Sequence, residues 1–249
     1  MKKSDQYWVR LPLQMAYNVR ELGGLPTKDG KQTAWRSFLR ADDISQLTEE
    51  DIQFLLDYGV RTVIDLRSKT EAEQKPDRLN LKYGVDHYLI PFTDLDISPE
   101  GQLAFLDTVG CVGDMYLDFL KNSKVVQKLF ETIATAKLGC ILYHCAGGKD
   151  RTGILSLLLL MLAGVDQQDC EINYIPSFIN LMRTPLFREN ASSIPDRYMQ
   201  FLESRLEYIE PSYRYVASFE GGVEGYLAHC GLRDVHLTLV KDRLLASCL

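Results

Sequence analysis

The 249-residue sequence has no excess of basic over acidic residues, no cysteine spacing typical of a metal site and no hydrophobic run long enough to span a membrane. Lys and Arg number 28 against 34 Asp and Glu, and the resulting net charge of −6 argues mildly against a nucleic-acid partner. A local basic pocket for an anionic ligand stays open, because net charge does not describe a single cleft. Hydrophobic residues make up 46% of the chain, which is enough for a sizeable core and excludes disordered and collagen-like classes.

The six cysteines form neither a C-x-x-C pair nor a Cys/His cluster with zinc-ligand spacing, so we expect no metal and no other cofactor. The longest apolar stretch, Ile154 to Val165, has about twelve residues, whereas a membrane-spanning helix needs about 20. The first ten residues lack the apolar segment of a secretory signal. We therefore expect a cytoplasmic protein with reduced thiols and no transmembrane segment, while export without a signal stays open.

Strand-like and helical segments alternate through the first two thirds of the sequence. Runs of strand length lie at about 61–66, which is rich in β-branched residues, at 85–92, which alternates, and at 139–144, which is apolar on both faces. Helical spacing occurs at about 48–59, capped by Thr48 and ended by Gly59, at 115–136 as one helix or two, and at 152–164. After residue 166 only helices are predicted, at about 166–182, 196–209, 212–219, 223–230 and 235–247.

This order of segments predicts an α/β fold with a mostly parallel central sheet flanked by helices and a helical C-terminal half. No linker is long enough to require two domains. We expect a single domain over residues 1–249, with a helical lid or insertion around 166–220.

The segment HCAGGKDRTG, residues 144–153, joins the third predicted strand to the most apolar helix. Backbone N–H groups in such a turn point inward and form a nest for an oxyanion, and the helix N-terminus adds partial positive charge. Gly147 and Gly148 permit the unusual dihedral angles and leave room for the anion. The same field stabilises a thiolate at Cys145, and Arg151 offers a planar fork for two phosphate oxygens. The pattern predicts a phosphate site with a cysteine nucleophile.

This segment resembles the active-site loop of cysteine-dependent protein tyrosine phosphatases. Its Lys-Asp before the arginine resembles the atypical bacterial branch of PtpB-like and LipA-like tyrosine and phosphoinositide phosphatases. Similar pieces extend along most of the chain, at residues 18–24, 39–42, 63–68, 171–174, 224–227 and 231–232. In these pieces Glu21 and Asn173 stand where Asp is common, and Glu71 or Glu73 fits the Glu that follows residues 63–68. The resemblance implies a tyrosine-phosphatase-like fold and a single phosphatase domain.

Both the chemistry of the loop and the resemblance assign Cys145 as nucleophile and Arg151 as phosphate clamp. The residues implied to bind the substrate are Ala146, Gly147, Gly148, Lys149, Asp150, Arg151 and Thr152. His144 supports the loop, either by locking its backbone or by a hydrogen bond near the thiolate. Thr152 either donates to the sulfur or caps the helix. Lys149 is either solvated or supplies a second positive charge that favours substrates with several phosphates, such as phosphoinositides.

The general acid has several candidates, because the leaving oxygen needs a proton from a carboxylic acid that reaches the far side of the phosphate. Asp150 lies in the loop, and the PtpB-like branch is thought to use this aspartate. The alternatives are Asp94, Asp96 and Asp114, with Asp65 as a more distant choice.

Two flanking pairs are predicted to support the loop. Asn18 and Arg20 brace it from below, while Asp65 is a carboxylate at the end of the first predicted strand and Arg67 ties the loop.

The leading functional interpretation is a phosphatase that hydrolyses phosphotyrosine, and also phosphoserine or phosphothreonine, through a phosphocysteine intermediate. A phosphoinositide phosphatase with the same chemistry is the first alternative, and a catalytically silent phosphate-binding module is the second. A sulfur-transfer or arsenate-reducing enzyme is the third, with Cys140 and Cys170 as the nearby resolving cysteines. The expected partner is a phosphorylated protein or a phosphoinositide, not a nucleic acid, and the oligomeric state stays open.

Overall fold

A computed structural model describes residues 2–93, 111–190, 199 and 201–245. Its centre is a five-stranded sheet in the order β1-β2-β5-β3-β4. The strands are β1 (Arg20–Glu21), β2 (Phe38–Ala41), β3 (Val60–Asp65), β4 (Asp86–Leu89) and β5 (Cys140–His144). Only the short edge strand β1 pairs antiparallel, and the other three pairings are parallel. The predicted mostly parallel α/β fold is confirmed.

Strand β5 lies between β2 and β3, and all five of its residues are buried. Its side chains alternate between two apolar cores, with Ile141 and Tyr143 on one face and Cys140 and Leu142 on the other. The larger core lies between the sheet and the helices of the C-terminal half, and the smaller one packs against the first helix and the N-terminal segment. Burial on both faces explains why the sequence of β5 is continuously apolar.

The helices in chain order are α1 (Glu49–Tyr58), α2 (Lys69–Gln74), α3 (Val112–Lys121), α4 (Ser123–Thr135), α5 (Asp150–Leu162), α6 (Gln167–Tyr174), α7 (Pro176–Leu181), α8 (Pro185–Asn190), α9 (Leu206–Ala217), α10 (Gly222–His229) and α11 (Asp234–Leu245). Thr48 caps α1, and Gly59 ends it in the left-handed conformation, as predicted. Residues 115–136 form two helices that meet at Asn122. Among the described residues, no helix combines the length and apolarity needed to cross a membrane.

Several predicted element boundaries are wrong. Residues 203–205 are not helical, and α9 continues through Pro211 where the sequence predicted a break. Burial of Ile209 and Val216 on one face of α9 outweighs the single backbone hydrogen bond that proline removes. The predicted helix at 166–182 is interrupted before Pro176, which begins α7. Strand β2 was not predicted, because four residues carry too little periodicity.

Candidate active site

The segment predicted to bind phosphate lies at the carboxyl edge of the parallel sheet. Cys145 directly follows β5, and Arg151 lies in the first turn of α5. Both side chains are buried. Because β2 and β3 flank β5 and run parallel to it, the loops that follow these strands meet at Cys145.

The carbonyl groups of the loop are bound from outside. The Cys145 carbonyl accepts from Nδ1 of His144 (3.2 Å), and that of Ala146 accepts from the backbone N–H of Asp43 (3.0 Å). Nδ2 of Asn18 donates to the carbonyls of both Gly147 (3.0 Å) and Gly148 (3.1 Å). Arg40 adds a donor to the Gly148 carbonyl at 2.8 Å. These contacts turn successive carbonyls away from the centre of the loop.

The amide groups of the same loop are left without acceptors. Within the described residues, the backbone N–H groups of 146–149 have no hydrogen-bond partner. Gly148 makes the turn possible because its φ is +64° and a Cβ there would lie 2.6 Å from the carbonyl oxygen of Ala41. A run of unpaired amides beside a helix N-terminus is the arrangement that binds an oxyanion.

Arg151 is held by a bidentate ion pair with Glu71. Nη1 and Nη2 donate to the two carboxylate oxygens at 2.7 and 3.0 Å. Glu71 is itself fixed by a capping box with Ser68 at the start of α2. Burial would lower the pKa of Arg151, but the charges of Cys145, Glu71 and Asp150 outweigh it and raise that pKa. Nε of Arg151 is buried and has no partner among the described residues, so one N–H remains for a ligand oxygen.

Arg20 and Asn18 brace the loop, as predicted, and Arg40 joins them. Arg20 donates from Nε to Oδ1 of Asn18 (3.1 Å), and both arginines donate to the carbonyl oxygen of Asn173. Arg40 also donates to Oδ1 of Asn173 at 2.7 Å. Burial lowers the pKa of both guanidinium groups, and no carboxylate among the described residues lies within 4 Å of either.

His144 is the hub of a buried ionic network. Its Nε2 lies 2.8 Å from Oδ2 of Asp77, and the same oxygen lies 2.8 Å from Nε2 of His87. Arg67 binds both oxygens of Asp65 and Oδ1 of Asp77. Burial opposes a charge on His144, but Asp77 and then Asp65 outweigh it and raise the pKa of His144 to about 9. His144 is therefore an imidazolium at neutral pH, and its Nδ1–H locks the Cys145 carbonyl.

Asp65, Asp77 and His87 offer ligand atoms within 4.8 Å of one another, which is close enough for a metal ion. Arg67 already donates to both carboxylates, and His144 donates to Asp77. A salt-bridge network satisfies these groups, and we assign no metal to them.

Asp150 begins α5 and keeps about a quarter of its side chain exposed. Its Oδ1 accepts from the hydroxyl of Tyr116 (2.5 Å) and lies 3.2 Å from Nζ of Lys149. Lys149 is buried rather than solvated, and its Nζ donates to the carbonyl oxygens of Phe201 and Glu203. The second positive charge of the loop is therefore committed to the protein's own groups.

The other acid candidates have different surroundings. Asp94 and Asp96 lie outside the described residues. Asp114 stands in the first turn of α3 beside the Cys111 sulfur, and Asp65 is fully buried in the pair with Arg67. The Thr152 hydroxyl has no hydrogen-bond partner among the described residues and does not cap α5, whose N-cap is Lys149.

Comparisons with known proteins agree with this geometry. The family described as the tyrosine phosphatase family matches residues 11–246. A tyrosine-protein phosphatase of Nostoc commune is 30% identical over 218 residues, covering 84% of this chain and 74% of its own length. The triple specificity protein phosphatase PtpB of Mycobacterium tuberculosis is 26% identical over 278 residues, covering 92% of this chain and 97% of its own.

Proposed function

Taking as premise that this chain belongs to the tyrosine phosphatase family and is a phosphatase, we propose that it hydrolyses phosphotyrosine in proteins through a phosphocysteine on Cys145. The observation that carries the proposal is the outward binding of four successive loop carbonyls, 145–148. It leaves the loop amides free to hold the equatorial oxygens of a phosphate around the cysteine. Arg151, fixed by Glu71, supplies a further N–H to the same oxygens.

The reaction has two steps. The Cys145 thiolate attacks phosphorus in line, an S–P bond forms, and the P–O bond to the leaving group breaks while Asp150 gives its proton to the leaving oxygen. Water then attacks the phosphocysteine, Asp150 takes a proton from that water, and the S–P bond breaks to release phosphate and the thiolate. These steps use no metal and no other cofactor.

Phosphotyrosine is the proposed principal substrate. Besides the family resemblance, the sequence favoured phosphoinositides through a free charge on Lys149, and that charge is bound by the carbonyls of Phe201 and Glu203. The relative PtpB carries triple specificity in its name, so phosphoserine, phosphothreonine and phosphoinositides belong in the same assay. Equal turnover of a phosphoinositide and a phosphotyrosine peptide would overturn the preference.

We also propose that the helical region 166–220 covers one side of the site within a single domain over 1–249. Leu181 supports this, because its Cδ1 lies 3.6 Å from where a Cβ at Gly147 would stand. The carbonyls that bind Lys149 belong to the same region. Limited proteolysis with and without phosphate tests this proposal, and bound phosphate should slow cleavage within 166–220. Equal cleavage rates with and without phosphate would contradict it.

Trapping of the intermediate tests the covalent mechanism. Acid quenching during turnover of para-nitrophenyl phosphate in EDTA should yield a phosphorylated peptide that contains Cys145. Cys145→Ser should abolish turnover and still bind phosphate, since the loop amides and Arg151 remain. Appreciable turnover by that variant would refute the mechanism, and so would a loss of activity in EDTA.

Leaving-group dependence tests the acid. Asp150→Asn should lose more activity on an alkyl phosphate than on para-nitrophenyl phosphate, whose leaving group departs without a proton. The basic arm of the pH–rate profile should also flatten. Asp114→Asn is the matched control and should keep that arm. A uniform loss in Asp150→Asn across all leaving groups would make Asp150 a structural residue.

A further inference from the structure

Tyr116 of α3 contacts the one carboxylate that the proposed reaction needs in two protonation states. Its hydroxyl lies 2.5 Å from Oδ1 of Asp150 and 2.7 Å from the hydroxyl of Tyr174 on α6. Both tyrosines are buried, and their rings meet edge to face. Tyr116 therefore reaches Asp150 from the interior, opposite the exposed part of the carboxyl group.

The direction of each hydrogen bond in this chain follows from the donors available. An ionised Asp150 can only accept, so the single proton of the Tyr116 hydroxyl points to Oδ1. The Tyr116 oxygen is then an acceptor, and Tyr174 donates to it. Burial, followed by the charge of Asp150, raises the pKa of both tyrosines well above its usual value. Tyr116 thus remains a donor throughout the pH range in which a phosphatase works.

The two oxygens of Asp150 are consequently not equivalent. Oδ1 accepts the hydrogen bond from the Tyr116 hydroxyl and lies 3.2 Å from the ammonium group of Lys149. A proton added to Asp150 avoids that oxygen, because two donors already face it, and binds Oδ2. The contacts of Oδ1 thereby reserve Oδ2 for proton transfer.

We propose that Tyr116 is a positioning residue for the general acid: it holds Oδ1 of Asp150 so that Oδ2 carries the proton for the leaving group. The proposal rests on the proposed role of Asp150 as acid. Other groups of the described chain that act on Asp150 are Lys149, Arg151 and, through Tyr116, Tyr174. Tyr116→Phe leaves Lys149 and Arg151 in place and removes the hydroxyl that links Tyr174 to Asp150.

The expected effect has a definite sign. The Tyr116 hydrogen bond stabilises the charged form of Asp150, so its loss in Tyr116→Phe should disfavour the carboxylate relative to the protonated acid. The basic arm of the kcat profile should move upward by about one to two pH units in Tyr116→Phe. Turnover of an alkyl phosphate on the plateau should fall by about tenfold, because the acid is no longer oriented, while KM changes little.

The experiment compares four proteins: wild type, Tyr116→Phe, Tyr174→Phe and Tyr116→Phe combined with Asp150→Asn. The readouts are kcat and KM against pH for para-nitrophenyl phosphate and an alkyl phosphate. Tyr174→Phe is the matched control, since it removes a buried hydroxyl that does not touch Asp150, and it should move the arm much less. The double variant lacks the carboxylic acid, so its pH profile should have no basic arm.

The outcomes separate this inference from the proposed function. A loss in Tyr116→Phe that is uniform in pH, with the arm in place, would make Tyr116 structural and overturn the inference. A basic arm that persists in the double variant would overturn the role of Asp150 itself. An upward shift in Tyr116→Phe that disappears with Asp150→Asn supports both.

Discussion

His144 should make the protein less stable in mild alkali. The imidazole is fully buried between Asp77 and the backbone of the active-site loop. Burial works against its charge, but the carboxylates of Asp77 and Asp65 raise the pKa of His144 to about 9, against about 6.5 for a histidine in an unfolded chain. Folding therefore tightens proton binding at this residue.

The size and sign of the effect follow from proton linkage. A difference of about two and a half pH units, at about 1.4 kcal/mol per unit, corresponds to about 3 kcal/mol in the free energy of unfolding. Because the folded pKa is the higher one, this stabilisation is complete below about pH 6.5 and is lost as the pH rises to about 9. Burial alone would raise the pKa of Asp77, but the charge of His144 outweighs it and lowers that pKa. Because both shifts come from the same ion pair, its contribution to the free energy of unfolding is counted once.

Three other buried acidic groups titrate in different pH ranges. Burial raises the pKa of Glu21 to about 7 and that of Asp42 to about 6. The stabilisation linked to these two groups is present at low pH and is lost as the pH rises, for the most part before pH 7 is reached. Burial also raises the pKa of Cys170 to about 12, so its contribution is lost only above about pH 9. The interval from pH 7 to pH 9 therefore reports His144 more than these groups.

Urea unfolding in reducing buffer at half-unit steps from pH 7 to pH 9 measures the effect. The wild-type free energy of unfolding should fall by about 2–3 kcal/mol over this interval. His144→Gln removes the titrating ring and should flatten the curve, whereas His229→Gln, at an exposed histidine, should leave the fall intact. Parallel curves for wild type and His144→Gln would refute the reasoning.

Three further predictions concern the neighbours of the loop. Glu71→Gln should lower kcat by about tenfold or more with intact folding, because the amide cannot hold the Arg151 fork through two charge-assisted bonds; steady-state kinetics and circular dichroism check it. Gly148→Ala should destabilise the protein by more than about 1 kcal/mol in urea unfolding and abolish phosphate binding, since φ is +64° and the Cβ has no room. Asn173→Asp should stabilise the fold by about 1 kcal/mol by giving buried Arg40 a carboxylate. The added negative charge should also slow iodoacetamide alkylation of the active-site cysteine at neutral pH.

The residues proposed to bind phosphate could be identified from the sequence because they are contiguous. These seven residues, 146–152, run from the end of an apolar strand into the first turn of an apolar helix, and local periodicity identifies both elements. The same locality explains why Thr48 and Gly59 were placed correctly at the ends of α1. A capping hydroxyl and a left-handed glycine act within one helical turn of the residues they affect.

Several residues that support the loop were not identified from the sequence, because their roles exist only in three dimensions. Tyr116 precedes Asp150 by 34 residues, and Asp77 precedes His144 by 67. Nothing local marks either one, since a tyrosine in an amphipathic helix and an aspartate after a proline have ordinary explanations. Lys149 shows the opposite error: its place in a polar loop suggested solvent, but carbonyls 52 and 54 residues further along the chain bury it.

Strand order explains why these distant residues meet at one cysteine. Strand β5 has a parallel neighbour on each side, so the segments after β2 and β3 converge on the end of β5. The first segment brings the amide of Asp43 to the Ala146 carbonyl, and the second is tied down by Arg67 and leads into α2, which carries Glu71 to the Arg151 fork. Each contact fixes the outside of the loop and leaves its inward amides free. The proposed oxyanion nest therefore depends on the sheet as much as on the ten-residue motif, and a substitution in β2 or β3 that shifts the end of its strand should impair phosphate binding without touching the motif.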